Sequence, residues 1–159
     1  MSVTRRNPLR MLSHALAALF NSRAAFLEQW RRYETLETPP QPVAGRWLGE
    51  WISETSGHRG ELKCVLAPVS KSVYRAHFYA AFAKLFRVAY ATDLNIEQTN
   101  GHTLLKGEED LGALAGGLYR CEGEVNGNEL HCCYSCKYDR GTFRLQRLDR
   151  GSQPKQRMG

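Results

Sequence analysis

No run of apolar residues comes near the roughly 18 that a bilayer-spanning helix requires, which excludes an integral helical membrane protein. The chain also has no His-x-x-x-His or His-Glu pairing, no Gly-x-Ser-x-Gly elbow and no Gly-Lys-Ser/Thr ending to a glycine-rich loop. Metal-dependent hydrolysis, serine-hydrolase chemistry and phosphate-loop binding therefore lack the side chains they need. Cysteine is odd in number, five, and a fully oxidised secreted protein would leave one thiol over. Proline is sparse, and three of the six sit together at 39, 40 and 42. A charge of one sign is missing from the middle of the chain: residues 37–148 hold 13 basic and 13 acidic groups. The net charge of +6 belongs to the ends, with +4 on residues 1–36 and +2 on residues 149–159.

What is present divides the 159 residues into three sections. Residues 1–42 form an N-terminal amphipathic helix and its spacer. Leu9, Leu12, Leu16, Leu19, Phe20, Leu27 and Trp30 recur at spacings of three and four over residues 8–36, and Pro8 suits a first turn. Thr38-Pro39-Pro40-Gln41-Pro42 then ends the helix and stiffens the link. Residues 43–149 change to a period of two, and residues 150–159 are a basic polar tail.

The period-two section reads as antiparallel strands with one apolar face. Trp47 and Trp51 alternate with Arg46 and Glu50. Leu62, Cys64 and Leu66 alternate with Glu61, Lys63 and Val65. Tyr74 and Phe78 share one face, Phe86 and Tyr90 another, followed by Tyr119 with Cys121, then Cys132, Tyr134, Cys136 and Tyr138, then Phe143 with Leu145. Turns fall at Ser56-Gly57, Asn100-Gly101, Asn126-Gly127 and Arg140-Gly141. An Asn126-Gly127 turn would set Cys121 opposite Cys132 and Tyr119 opposite Tyr134. A turn over 139–142 would set Cys136 opposite Leu145 and Tyr134 opposite Arg147. About eight strands in a meander with one apolar face close most simply into an up-and-down β-barrel, so the expected fold is mostly β with one preceding helix.

Gly45-Arg46-Trp47 on the first strand, after a helical segment, resembles the lipocalin and fatty-acid-binding (calycin) barrels. The resemblance covers about two thirds of the chain. It implies a barrel that holds a small apolar ligand, with a basic side chain of the last strand packed across the Trp near the closed end. Arg147 matches that position by its inward parity, and Arg144, with outward parity, comes second. The barrel section is shorter than a typical lipocalin and lacks that family's other short motifs. The chain also resembles small bacterial proteins with Gly-x-Trp-x-Gly-x-Trp, Asp110-Leu111-Gly112, Gly116-Gly117-x-Tyr119 and Gly141-Thr142-Phe143 features.

Cys132-Cys133-x-x-Cys136 invites a zinc reading, but strand geometry opposes it. At about 3.3 Å per residue, Cys133 and Cys136 point to opposite faces about 10 Å apart, and Cys132 and Cys136 lie about 13 Å apart. Cys64, Cys121, Cys132 and Cys136 are expected as soft core fillers with reduced thiols, a Cys121–Cys132 disulfide being the alternative. Glu108-Glu109-Asp110 reads as a solvated loop, and Gly112 to Gly117 as a bend into a strand. No catalytic residue, metal site or cofactor is expected, and an enzyme is the third-ranked reading.

The inward aromatics carry the functional expectation: Trp47, Trp51, Tyr74, Phe78, Phe86, Tyr90, Tyr119, Tyr134, Tyr138 and Phe143. The expected ligand site is formed by Trp47, Trp51, Tyr74, Phe78, Tyr90, Tyr119 and Tyr134, with Arg147 closing the base. The leading expectation is non-catalytic binding of a small apolar or aromatic ligand inside the barrel. The alternative is a solid barrel that docks to a membrane surface or protein partner through residues 8–36, whose basic groups suit an anionic surface. In a third reading this helix packs against the barrel itself. Thr4-Arg5-Arg6 carries a weak twin-arginine export reading. Nucleic acid is not an expected partner because the barrel section is neutral. The expected location is cytoplasmic, with peripheral membrane contact as an option.

Overall fold

The alternation read from the sequence becomes eight antiparallel strands closed into one barrel in chain order. The structure is a computed structural model that describes residues 8–37, 43–82, 86–110 and 117–148, with helical side chains described from Ser22 onward. The helix α1 spans Pro8–Thr35. The strands are β1 (Gly45–Ser53), β2 (Arg59–Pro68), β3 (Val73–Phe82), β4 (Phe86–Thr99), β5 (His102–Asp110), β6 (Leu118–Asn126), β7 (Glu129–Ser135) and β8 (Arg140–Arg147). β1 pairs with both β2 and β8, which closes the barrel. The export motif at residues 4–6, the Pro-rich spacer, the 112–116 bend and the tail lie outside the described residues.

The barrel has a base, where β1 begins and β8 ends, and a mouth, where β3 passes to β4 and β5 to β6. Its interior is one cluster of buried side chains, including Trp47, Leu62, Cys64, Leu66, Tyr74, Phe78, Leu94, Leu105, Cys121, Leu130, Cys132 and Leu145. Inward glycines sit where a large neighbour needs the volume. A Cβ on Gly141 would lie 2.7 Å from the Tyr134 hydroxyl and run into the Ile52 carbonyl. The β4–β5 ladder runs only from Asn95–Lys106 to Thr99–His102. Toward the mouth, residues 86–94 of β4 and 107–110 of β5 do not pair with each other.

The outer wall of β1 to β4 is covered by α1. Phe26 is buried and stacks on Tyr79 at 5.1 Å, with Trp30 beside it at 5.5 Å. Phe26, Trp30 and Tyr33 follow the i, i+4, i+7 spacing of one helix face. Leu27, expected on that stripe, lies off it and is exposed. The outward residues Val65 and Ala89 are buried beneath this helix, and so is Arg46, whose guanidinium meets Glu34 at 3.1 Å and lies 5.2 Å over the Trp30 ring. Of the readings offered for the helix, packing on the barrel's own outside is the one seen for residues 22–36.

Two expected registers are corrected. Asn126 pairs with Glu129, so the β6–β7 loop is Gly127-Asn128, and Cys121 faces Tyr134 while Gly123 faces Cys132. Gly127 alone takes a positive φ of 57°, and glycine at the first loop position matches a type II′ turn rather than the type I′ turn that Asn-Gly suggests. In the last hairpin Ser135 pairs with Arg140, so Cys132 faces Phe143 and Tyr134 faces Gly141. There β7 stops early because Cys136 N–H donates to the Asp139 carbonyl at 2.8 Å, closing a four-residue loop. Both displacements are by an even number of residues, so every side chain that stays in a strand keeps its predicted face. Phe86 and Tyr138, expected inside, are exposed at the mouth, and Glu108 to Asp110 belong to β5 rather than a loop.

Candidate functional site

The predicted site residues fall into two groups at different heights in the barrel. At the base, Trp47 and Arg147 are paired neighbours on β1 and β8, and the Arg147 guanidinium lies 4.7 Å over the Trp47 ring. Trp47 is fully buried and its indole N–H donates to the Val43 carbonyl at 3.2 Å. A cation over an indole face is attracted by the ring quadrupole, and burial strengthens the contact. Arg144, one position out of phase, is exposed. Tyr74, also in the predicted set, is buried at this end, and burial raises its phenol above the ordinary range.

Nearer the mouth, Phe78, Tyr90, Tyr119 and Tyr134 come together with Phe143. Their rings form a closed circuit with centroid separations of 4.9 Å (Phe78–Tyr90), 6.1 Å (Tyr90–Tyr119), 5.6 Å (Tyr119–Tyr134), 4.9 Å (Tyr134–Phe143) and 5.7 Å (Phe143–Phe78). Three of these contacts are stacked, with interplanar angles of 23° for Phe78–Tyr90, 17° for Tyr119–Tyr134 and 20° for Tyr134–Phe143. Those ring faces are spent on one another. Trp51 stands beside the circuit: its indole N–H crosses Gly60 to donate to the Ala81 carbonyl at 3.0 Å, and its ring lies 4.5 Å from Phe82.

The phenols differ in their partners. Tyr134 donates to the Asp139 carboxylate at 2.9 Å, and the Ser53 hydroxyl donates to the other oxygen of that carboxylate at 2.6 Å. Burial, and then that hydrogen bond, raise the Tyr134 phenol. The Tyr90 and Tyr119 rings meet edge to face, and desolvation pushes both phenols far above the ordinary range. Even so, each keeps accessible surface. Around the mouth Phe82, Phe86, Leu118 and Tyr138 are exposed, an apolar rim above the circuit.

Thr92 was missed from sequence. It is buried on β4, in phase with Tyr90 and Leu94 and opposite Ala76, and its hydroxyl has no hydrogen-bond partner. The signal was available: a polar residue two positions beyond Tyr90 on an apolar face.

An open, mostly polar cleft of about 640 Å³ lies at the base, lined by Gln98, Asn100, His102, Asn128 and Arg147 among others. It is separate from the aromatic circuit. The five cysteines are free: Cys64, Cys121 and Cys132 are buried, Cys136 is half-buried and Cys133 is exposed. The alternative Cys121–Cys132 disulfide is not formed. Cys136, expected in the core, lies instead in the loop after β7. Among the described residues, no three His, Cys, Asp or Glu side chains group as a metal site, and no helix is long and apolar enough to cross a membrane.

No protein-family model matches this chain, and no curated protein matches its sequence.

Proposed function

We propose that the protein is a non-catalytic binding module that takes a small apolar or aromatic ligand into the mouth half of its barrel. One observation carries this reading: Tyr90 and Tyr119, inward-facing members of the aromatic circuit, retain accessible surface below an exposed apolar rim. Aromatic walls with a few convergent polar groups are the usual make-up of small-molecule sites. Phe78, Tyr90, Tyr119 and Tyr134 would form the wall and Trp51 the lip. Trp47, Tyr74 and Arg147 would act as the floor, sealing the base rather than touching ligand.

Docking through residues 8–36 is the competing proposal. Its aromatic face is occupied, since Phe26, Trp30 and Tyr33 pack on the barrel. A membrane or protein contact would fall to other faces of the helix, which carry Arg23, Leu27 and Arg31.

Native mass spectrometry of freshly purified full-length protein, compared with its denatured mass, tests the reading. The expected result is a reproducible extra mass that disappears on denaturation, or one that appears when naphthalene is added. A bare-chain mass under both conditions would overturn it.

A further inference from the structure

The interior fixes the electrical character of what it can hold. Among the described residues, the inward positions between the circuit and the mouth carry no cationic side chain, and Arg147 is at the far end over Trp47. The rim carries both signs, with Lys137 5.4 Å over the Tyr138 ring and Arg140 meeting Glu54 at 3.5 Å, but the charges tied to inward positions are acidic. Glu109 pairs with Tyr119 on the inner-face register and is exposed there, and Asp139 is held by Tyr134 and Ser53. An anionic ligand would pass these carboxylates and then lie in a low-dielectric interior with no counter-charge, which is costly. An organic cation would want open aromatic faces. The stacked contacts Phe78–Tyr90, Tyr119–Tyr134 and Tyr134–Phe143 have already covered them.

What the interior does offer is hydrogen-bond donors. Tyr90 and Tyr119 are neighbours in the circuit, their ring centroids 6.1 Å apart, and each phenol carries a proton to donate. The Thr92 hydroxyl is buried with no partner at all. It stands two residues from Tyr90 on the same strand face, roughly 6.6 Å along the strand. A buried hydroxyl left unsatisfied costs free energy that a ligand acceptor would recover.

We infer that the barrel selects neutral ligands carrying one hydrogen-bond-accepting oxygen, such as an aryl ketone, and that Thr92 together with the Tyr90–Tyr119 pair binds that oxygen. The inference rests on the ligand-binding reading above and goes beyond it by naming the ligand's charge and head group.

Calorimetric titration of the full chain with naphthalene, 2-acetylnaphthalene, 2-naphthoate and 2-naphthyltrimethylammonium holds the ring constant and varies the head. The ketone should bind at least tenfold more tightly than the carboxylate or the ammonium. Thr92→Val, which keeps the shape and removes the hydroxyl, should weaken ketone binding about fivefold, the worth of one neutral hydrogen bond, and leave naphthalene unchanged. A carboxylate or ammonium that binds as well as the ketone overturns the inference. So does an unchanged ketone affinity in Thr92→Val, which would assign the hydroxyl to an internal water. If none of the four probes binds, the binding reading itself falls. If naphthalene binds with no preference for the ketone, only the selectivity falls.

Discussion

A position of two atoms decides whether Gly141 can be anything else. Its missing Cβ is the space in which the Tyr134 ring lies, with the Ile52 carbonyl of β1 close behind. Gly141→Ala therefore has to displace backbone as well as a ring, and overpacking of this kind costs about 1–3 kcal/mol. Urea denaturation should show a midpoint lowered by that amount with an unchanged slope; a wild-type midpoint would mean that the Tyr134 ring does not lie against this glycine. The cysteines separate just as sharply. Burial raises the Cys64 thiol, while the hydrogen bond with Cys121, followed by burial, raises that of Cys132. Only the thiolate reacts with an alkylating agent. Iodoacetamide at neutral pH should label Cys133 first and Cys136 more slowly in the folded protein, and all five only after unfolding, as read by peptide mass spectrometry. Early labelling of Cys64 or Cys132 would show that the interior opens readily.

Among the elements, β3 carries a titratable group on its outer face. His77 faces outward from β3 between Val65 and Ala91, is half-buried, and its Nδ1 has no hydrogen-bond partner. Desolvation first, and then the Arg75 charge, lower its pKa from 6.5, against smaller opposing effects of Asp93 and Glu28. The unfolded chain therefore binds the proton more readily than the folded one. Stability is full above about pH 6.5 and declines as pH falls from there toward the depressed folded value. His77→Gln should flatten that decline between pH 7.5 and 5.5 in urea titrations, and an equally steep decline in the variant would place the titration elsewhere. The strands were legible because period-two patterning survives any even shift: both hairpins moved by an even number of residues and no side chain within a strand changed face. The turns were less so, since Gly127 and the Asp139 carboxylate set those loops through backbone angle and a contact to Ser53, neither of which patterning encodes. Arg46 misled in the same way. A charge alternating with Trp47 reads as solvent-facing, and only its meeting with Glu34 and Trp30 of a distant segment places it inside. Of the candidate site, parity gave the inward aromatics and Arg147, whereas Phe86 was lost because inward parity at a strand end points into the mouth, and Tyr138 because β7 ends at Ser135 and leaves it in the loop.

At the scale of the whole molecule, the barrel is closed but is apolar on both sides over one sector. Inside, every strand contributes to the core; outside, Val65, Tyr79, Ala89 and Arg46 need the helix to keep water away. Each large apolar side chain fully buried contributes roughly 1.5–3 kcal/mol, so Phe26 and Tyr33 alone represent a sizeable share of the 5–15 kcal/mol typical of a domain. The helix is thus structural for the barrel before it is anything else. A chain of residues 37–159 should unfold at lower urea than the full chain, by several kcal/mol, and aggregate through the bared strip. Circular dichroism and sedimentation would show both effects. The same pair of chains, mixed with anionic phosphatidylserine vesicles, separates the two proposals for the helix. If residues 37–159 stay folded and monomeric while vesicle binding of the full chain is lost, the helix is a docking device and the barrel stands alone. If the shortened chain unfolds, the helix is the barrel's missing outer layer, and the mouth, with Phe82, Phe86 and Leu118 around it, is left as the surface through which this protein meets its ligand.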